Sequence, residues 1–172
     1  MKRWVVALGL GMGLIMVSGA GWAGATTGSS DGNTVRIVGR NTFIRNALIQ
    51  STLRFSPERL SVPSGSRVTW RVRSNVKEPH SVSLVRRRAL PSNVNEVFGC
   101  QVCRRISRRH FSGDRPDKRL NAGEPGFDQP GDSRLLLRPG ASPTARITAP
   151  AGTTLRYLCI IHPWMQGKIA VE

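Results

Sequence analysis

The sequence predicts an all-β antiparallel sandwich interrupted by one long, mostly irregular insertion. Three observations predict it. Short segments alternate apolar and polar residues with a period of two, and Gly/Pro turns separate them. No segment of comparable length keeps a helical period. The alternation lapses between Arg86 and Pro139 and then resumes.

The elements follow in order. Val35-Arg36-Ile37-Val38 is a short first strand. Phe43 to Phe55 mixes apolar and polar residues without a clean period and reads as an irregular turn leading into a strand. Leu60 and Val62 alternate with polar neighbours until Pro63-Ser64-Gly65 breaks the strand. Arg67 to Arg73 alternates strictly, with Val68, Trp70 and Val72 on one face of a half-buried strand. A loop from Ser74 to Pro79 leads to a strand that begins near His80 and continues through Val82 and Leu84. Residues 86–134 are an Arg-rich insertion in which Asn93 to Phe111 has room for a helical turn or two. Strands return at Leu135–Leu137, at Thr144–Thr148 and at Thr153–Cys159. Gly167–Val171 closes the chain.

The first 25 residues have the form of a Sec-type signal peptide. Lys2 and Arg3 precede an uncharged run from Trp4, and Ala23-Gly24-Ala25 is a small-x-small cleavage signal. The competing reading is an uncleaved anchor, which six glycines and the small-residue end disfavour. Residues 26–33 are a small polar linker, and 34–172 are expected to form one domain. The predicted location is therefore periplasmic or extracellular. Membrane contact is expected only through partners or through an uncleaved N-terminal segment.

The formal charge is +16, falling to +14 without Lys2 and Arg3, and it is dispersed along the chain. A positive field of this kind favours acidic partner surfaces. With one Tyr and no basic helix carrying interleaved aromatics, nucleic acid is not expected as a partner.

The chemistry concentrates near the C-terminus. Cys159-Ile-Ile-His162-Pro163-Trp164-Met165 places a thiol, an imidazole and a thioether at Cys-x2-His-x2-Met spacing. One soft anionic donor, one nitrogen donor and one weak sulfur donor suit a mononuclear copper ion, given a second imidazole. Only three histidines occur, and His80 lies in a context that supplies it. Structural zinc prefers more thiolates and no Met. A Cys-His hydrolase would need a base and an oxyanion hole around a cysteine two residues from its histidine, so no enzymatic activity is expected.

Cys100-Gln-Val-Cys103 is a separate feature. Covalent haem attachment would need a histidine where Arg104 stands. Three readings stay open: a disulfide, as suits an oxidising compartment; a redox-active pair beside Arg104 and Arg105; or a second metal site with His110.

Several of these stretches together resemble a cupredoxin. They are Leu60-x-Val62-x2-Gly65-x2-Val68-Thr69-Trp70, Pro79-His80-Ser81-Val82, Tyr157-x-Cys159-x2-His162-Pro163-Trp164-Met165 and Gly167-x-Ile169-x-Val171. The pattern is of the plastocyanin/amicyanin type, and the short ligand loop is nearer amicyanin. The resemblance covers residues 53–85 and 134–172. It implies a Greek-key sandwich holding one type 1 (blue) copper ion, Cu(I) or Cu(II). His80, Cys159 and His162 would be equatorial ligands and Met165 a weak axial one. Pro163 and Trp164 would pack beside His162, exclude water and form an apolar docking patch. Such a protein carries single electrons between redox partner proteins. Copper delivery, storage or resistance on the same scaffold is the alternative, and an accessory domain that docks through its insertion is a third. Two departures stand out. Ser81 replaces the Asn that commonly follows the first histidine, beside the cysteine sulfur. Simple members also lack the 86–134 insertion. Nothing suggests a multicopper oxidase, since there is no His-x-His pair and no second unit of the same kind.

Overall fold

The computed structural model describes residues 32–172. The expected signal segment 1–25 and most of the linker 26–33 lie outside the described residues. In chain order the strands are β1 (Thr34–Val38), β2 (Asn41–Ile44), β3 (Leu48–Ser51), β4 (Arg54–Ser56), β5 (Arg59–Val62), β6 (Arg67–Val72), β7 (His80–Leu84), β8 (Arg119–Leu120), β9 (Ser133–Leu136), β10 (Thr144–Arg146), β11 (Thr154–Leu158) and β12 (Gln166–Val171). Between β7 and β8 lie a 3-10 turn (Arg87–Ala89) and two helices, α1 (Val94–Phe98) and α2 (Gln101–His110).

Two sheets share one core. The first has the order β10-β6-β1-β4 and the second β5-β12-β11-β7-β9-β8. The alternation seen in the sequence is the reason. Val68, Trp70 and Val72 point inward from β6, and Leu155, Tyr157, Ile169 and Val171 from β11 and β12, all buried in the same cluster. Trp70 is at its centre, with ring centroids 5.2 Å from Phe127 and 6.0 Å from Tyr157. Not every pair is antiparallel as expected. β1 runs parallel to β6, and β12 parallel to β5. Consecutive strands change sheets here: β5 leaves the sheet of β4, and the Pro63-Ser64-Gly65 turn returns the chain to it at β6. Gly65 has φ +84°, which suits glycine.

Gly167 faces Tyr157 across the β11–β12 pair. A Cβ at Gly167 would lie 2.4 Å from the Tyr157 ring. The ring occupies that space and cannot yield within a packed core. Gly167→Ala is expected to lower stability by about 2 kcal/mol, read as a lower urea midpoint at unchanged slope.

The stretch 43–55 is more regular than its sequence suggests. It holds a β2–β3 hairpin that pairs Phe43 with Ile49 and Ile44 with Leu48 before β4 begins. All four side chains are exposed, so no buried face imposes a period on them.

The insertion is also more ordered than predicted. Asn93 caps α1 by accepting the Glu96 N–H at 3.0 Å, and the Glu96 carboxylate accepts the Ser92 N–H at 2.7 Å. A full ten-residue helix, α2, follows where a turn or two was expected. Its buried residues Cys103, Ile106 and His110 recur at helical spacing on one face. That face packs on the outer side of the second sheet. Cys103 and Ile106 join Val85, Leu120, Leu135, Leu158 and Ile160 in a second buried cluster. Cys100 and Cys103 form a disulfide within it. β7 is therefore covered on both sides, and all five of its residues are buried.

Candidate metal centre

β7 and β11 lie side by side, and their ends bring the two halves of the site together. His80 opens β7, with its side chain on the inner face beside Val82 and Leu84. Cys159 follows the last residue of β11. The chain then turns sharply. Cys159 N–H donates to the Met165 carbonyl at 3.0 Å, and Met165 N–H donates to the His162 carbonyl at 2.8 Å. These two bonds close the loop and hold Cys159, His162 and Met165 at its base, all buried.

Three donor atoms converge there. Cys159 Sγ lies 3.9 Å from His80 Nδ1 and 3.8 Å from His162 Nδ1, and the two Nδ1 atoms are 3.3 Å apart. The centre of a triangle with these edges is about 2.1 Å from each corner, close to ordinary metal–nitrogen and metal–sulfur bond lengths. Among the described residues this is the one group of three or more His, Cys, Asp or Glu side chains placed to hold a metal ion. Two imidazole nitrogens and one thiol, with a buried thioether nearby, fit a soft-to-borderline ion such as copper.

The electrostatics suit the same purpose. Burial, reinforced by the neighbouring His162 and opposed by Glu78, lowers the His80 pKa to about 4. Burial lowers that of His162 as well. Both rings are thus neutral near pH 7 and keep a lone pair for a ligand. Burial pushes the Cys159 thiol up, and hydrogen bonds from Ser81, His162 and Ile161 pull it back. A bound cation would supply the charge that ionises the thiol.

β7 supports the sulfur through Ser81. Its N–H donates to Cys159 Sγ at 3.3 Å, and its hydroxyl accepts the Ile160 N–H at 2.9 Å. Trp164 stands edge-on to the His162 ring, with centroids 5.2 Å apart, and is partly exposed. Pro163 is buried.

His110 does not join Cys100 and Cys103 in a second site. Those sulfurs are bonded to each other, and the His110 ring turns towards the Asp117 carbonyl and the Ser133 hydroxyl. Three residues around the site were not read from the sequence. Glu78 acts on both histidines through its charge, and its place two residues before His80 was the available signal. Ser83 and Ser133 extend the polar contacts of Ser81. Ser81 and Ser83 alternate with apolar residues along β7, a pattern that carries no sign of the helix α2 that covers their side.

The chain is similar in structure to several known proteins. One is a purple cupredoxin from Nitrosopumilus maritimus, at 17% identity over 81% of this chain and 98% of that one, with a TM-score of 0.44. Another is amicyanin from Paracoccus versutus, at 14% identity over 84% of each chain, with a TM-score of 0.42. A third is a reduced auracyanin from Roseiflexus castenholzii, at 21% identity over 69% of this chain and 87% of that one, with a TM-score of 0.37. No protein-family model and no curated protein sequence matches the chain.

Proposed function

We propose that this protein is a type 1 blue copper protein of cupredoxin type that carries one electron at a time outside the cytoplasm. His80, Cys159 and His162 are its equatorial ligands and Met165 its weak axial ligand. One observation carries this reading: two imidazole Nδ1 atoms and one thiol form a buried triangle with edges of 3.3–3.9 Å. Copper supplies one-electron redox chemistry when bound. The chain supplies rigidity and shielding. β7 holds His80, and backbone hydrogen bonds close the Cys159–Met165 loop, so the donors need move little between oxidation states.

Residues 34–172 act as one copper-binding domain behind an export signal at 1–25 and a linker at 26–33. Among the described residues no helix is long and apolar enough to cross a membrane. Partners dock where the metal is nearest the surface. Trp164 and Ile161 from the metal loop and Phe98 and Val94 from α1 are exposed apolar residues. Trp164 and Phe98 line a groove together with Arg104 and Arg108. An apolar face with arginines at its edge suits a redox protein whose docking surface is apolar at the centre and acidic around it.

The test is to add Cu(II) to the protein without its first 25 residues and record visible and electron paramagnetic resonance spectra. The expected result is an intense thiolate-to-copper band with narrow hyperfine splitting. A colourless protein that binds only Cu(I) would sink the electron-carrier reading and establish copper handling in its place.

A further inference from the structure

The outer face of the second sheet carries polar groups where a packed helix should meet apolar ones. Ser81 and Ser83 of β7 and Ser133 of β9 are fully buried, and α2 lies over this side of the sheet. Buried hydroxyls are costly unless they are bonded. Here they are bonded to one another in a row. Ser81 Oγ lies 3.1 Å from Ser83 Oγ, Ser83 Oγ lies 2.6 Å from Ser133 Oγ, and Ser133 Oγ lies 2.7 Å from His110 Nε2. At the other end, Ser81 accepts the Ile160 N–H and donates its own N–H to Cys159 Sγ. A row of hydrogen bonds therefore runs from the last residue of α2 to Ser81, the residue whose own N–H meets the sulfur of the metal centre.

A row of hydroxyls has a direction, and its two ends decide it. The Ile160 N–H can only donate. At the far end the Asp117 carbonyl can only accept, so His110 Nδ1 carries the ring proton. In the neutral ring Nε2 is then an acceptor, and it takes the Ser133 proton. Ser133 must accept from Ser83, and Ser83 from Ser81. All three hydroxyl protons point away from the metal centre.

We propose that His110 is a positioning residue of the metal centre: acting through Ser133 and Ser83, it holds the Ser81 hydroxyl proton away from Cys159 Sγ and so limits the hydrogen bonds that sulfur accepts. The inference rests on the copper reading above and adds a control to it. The Ser81 hydroxyl oxygen lies within hydrogen-bonding reach of the sulfur, so the direction of its proton decides whether it donates there. If the row loses its acceptor at His110, its direction reverses: Ser83 donates to Ser81, and Ser81 donates to Cys159. An additional hydrogen bond draws electron density from a thiolate and favours the reduced metal.

Protonation of His110 has the same effect, because both ring nitrogens then donate. The ring is faced by Asp117 of the following loop, Arg109 of its own helix and Arg134 of β9. Burial holds its pKa below the usual histidine value, the Asp117 carbonyl and charge oppose that, and the two arginines reinforce it. The outward-pointing row therefore prevails at neutral pH, and the reversed row belongs to acid.

The test begins without metal. Nitrogen-15 NMR of the metal-free protein reads the His110 ring, and a proton on Nδ1 with a bare Nε2 is expected; a neutral ring protonated on Nε2 overturns the proposal. Ser133→Ala cuts the row with little change of shape and is expected to shift the Ile160 amide resonance at fixed pH. In the copper-loaded protein the same variant should move the visible band. It should also shift the equilibrium with a redox dye roughly fivefold towards reduced protein, as expected for one hydrogen bond. His110→Phe should act in the same direction. Acidification should reproduce the shift in the parent protein along the His110 ring titration and fail to do so in Ser133→Ala. A potential that stays flat while the ring titrates, or a Ser133→Ala protein with unmoved amide, band and potential, overturns the proposal. If copper gives no blue band while the amide still responds, the copper reading fails and the hydrogen-bonded row stands.

Discussion

Replacing Cys159 by serine is expected to abolish the visible band and weaken Cu(I) binding by at least about a hundredfold, while the protein stays folded. Removing an outer partner of a metal ligand already costs about ten- to a hundredfold in affinity, so loss of the only thiolate costs no less. A serine oxygen is hard and stays protonated near neutral pH, which suits Cu(I) poorly. The exchange changes one atom. The new hydroxyl keeps the Ser81 N–H that now meets Sγ at 3.3 Å, so the buried position retains a hydrogen-bond partner. The expected stability loss is about 1 kcal/mol, seen as a small drop in urea midpoint. Isothermal titration with a competing Cu(I) chelator reads the affinity, and absorbance reads the band. A variant that kept its colour would remove Cys159 from the ligand set. The other two cysteines are joined in the disulfide under α2 and offer no thiolate in its place.

The closeness of Cys159 and His162 was legible because both lie within one short loop that a sharp turn leaves few ways to face. The strand reading of Val68, Trp70 and Val72 held because one face of β6 is buried and the other is not. α2 was harder to see, for a physical reason. Its buried face is made of Cys103, Ile106 and His110, and only Ile106 is plainly apolar. The remaining positions are mostly arginines, so a hydrophobic period has almost nothing to register. The burial of the β7 serines was not legible either. His80-Ser81-Val82-Ser83-Leu84 alternates like a strand with one wet face, and nothing within those five residues reports that a helix some twenty positions later covers that face. The β2–β3 hairpin failed differently again: its apolar residues sit on both faces and meet solvent. Local chemistry could thus be read locally. What depended on how the insertion folds back could not.

Trp70→Ala is expected to cost about 4 kcal/mol, the largest stability loss of any substitution considered, and to loosen the metal centre although Trp70 is not among its proposed ligands. Trp70 is fully buried, and its ring meets Tyr157 of β11 and Phe127 of the insertion. Tyr157 in turn packs on Phe55 of β4 at 4.9 Å and fills the space left by Gly167. One ring thereby ties the first sheet to the strand that delivers Cys159 and to the insertion covering the second sheet. Its removal opens a large cavity where these parts meet, and neighbours in β-sheets cannot collapse far to fill it. For a domain whose total stability is about 5–15 kcal/mol, the urea midpoint should fall steeply, and the blue band should broaden or bleach at temperatures the parent protein withstands. Trp70→Phe keeps most of the contact area and should recover more than half of the loss. A loss below about 1.5 kcal/mol would mean that the sheets close over the gap and that the ring does not hold them together. The two substitutions separate fold from site. Cys159→Ser is expected to remove the metal and leave the sandwich, whereas Trp70→Ala leaves every proposed ligand in the chain and weakens the frame that aims them.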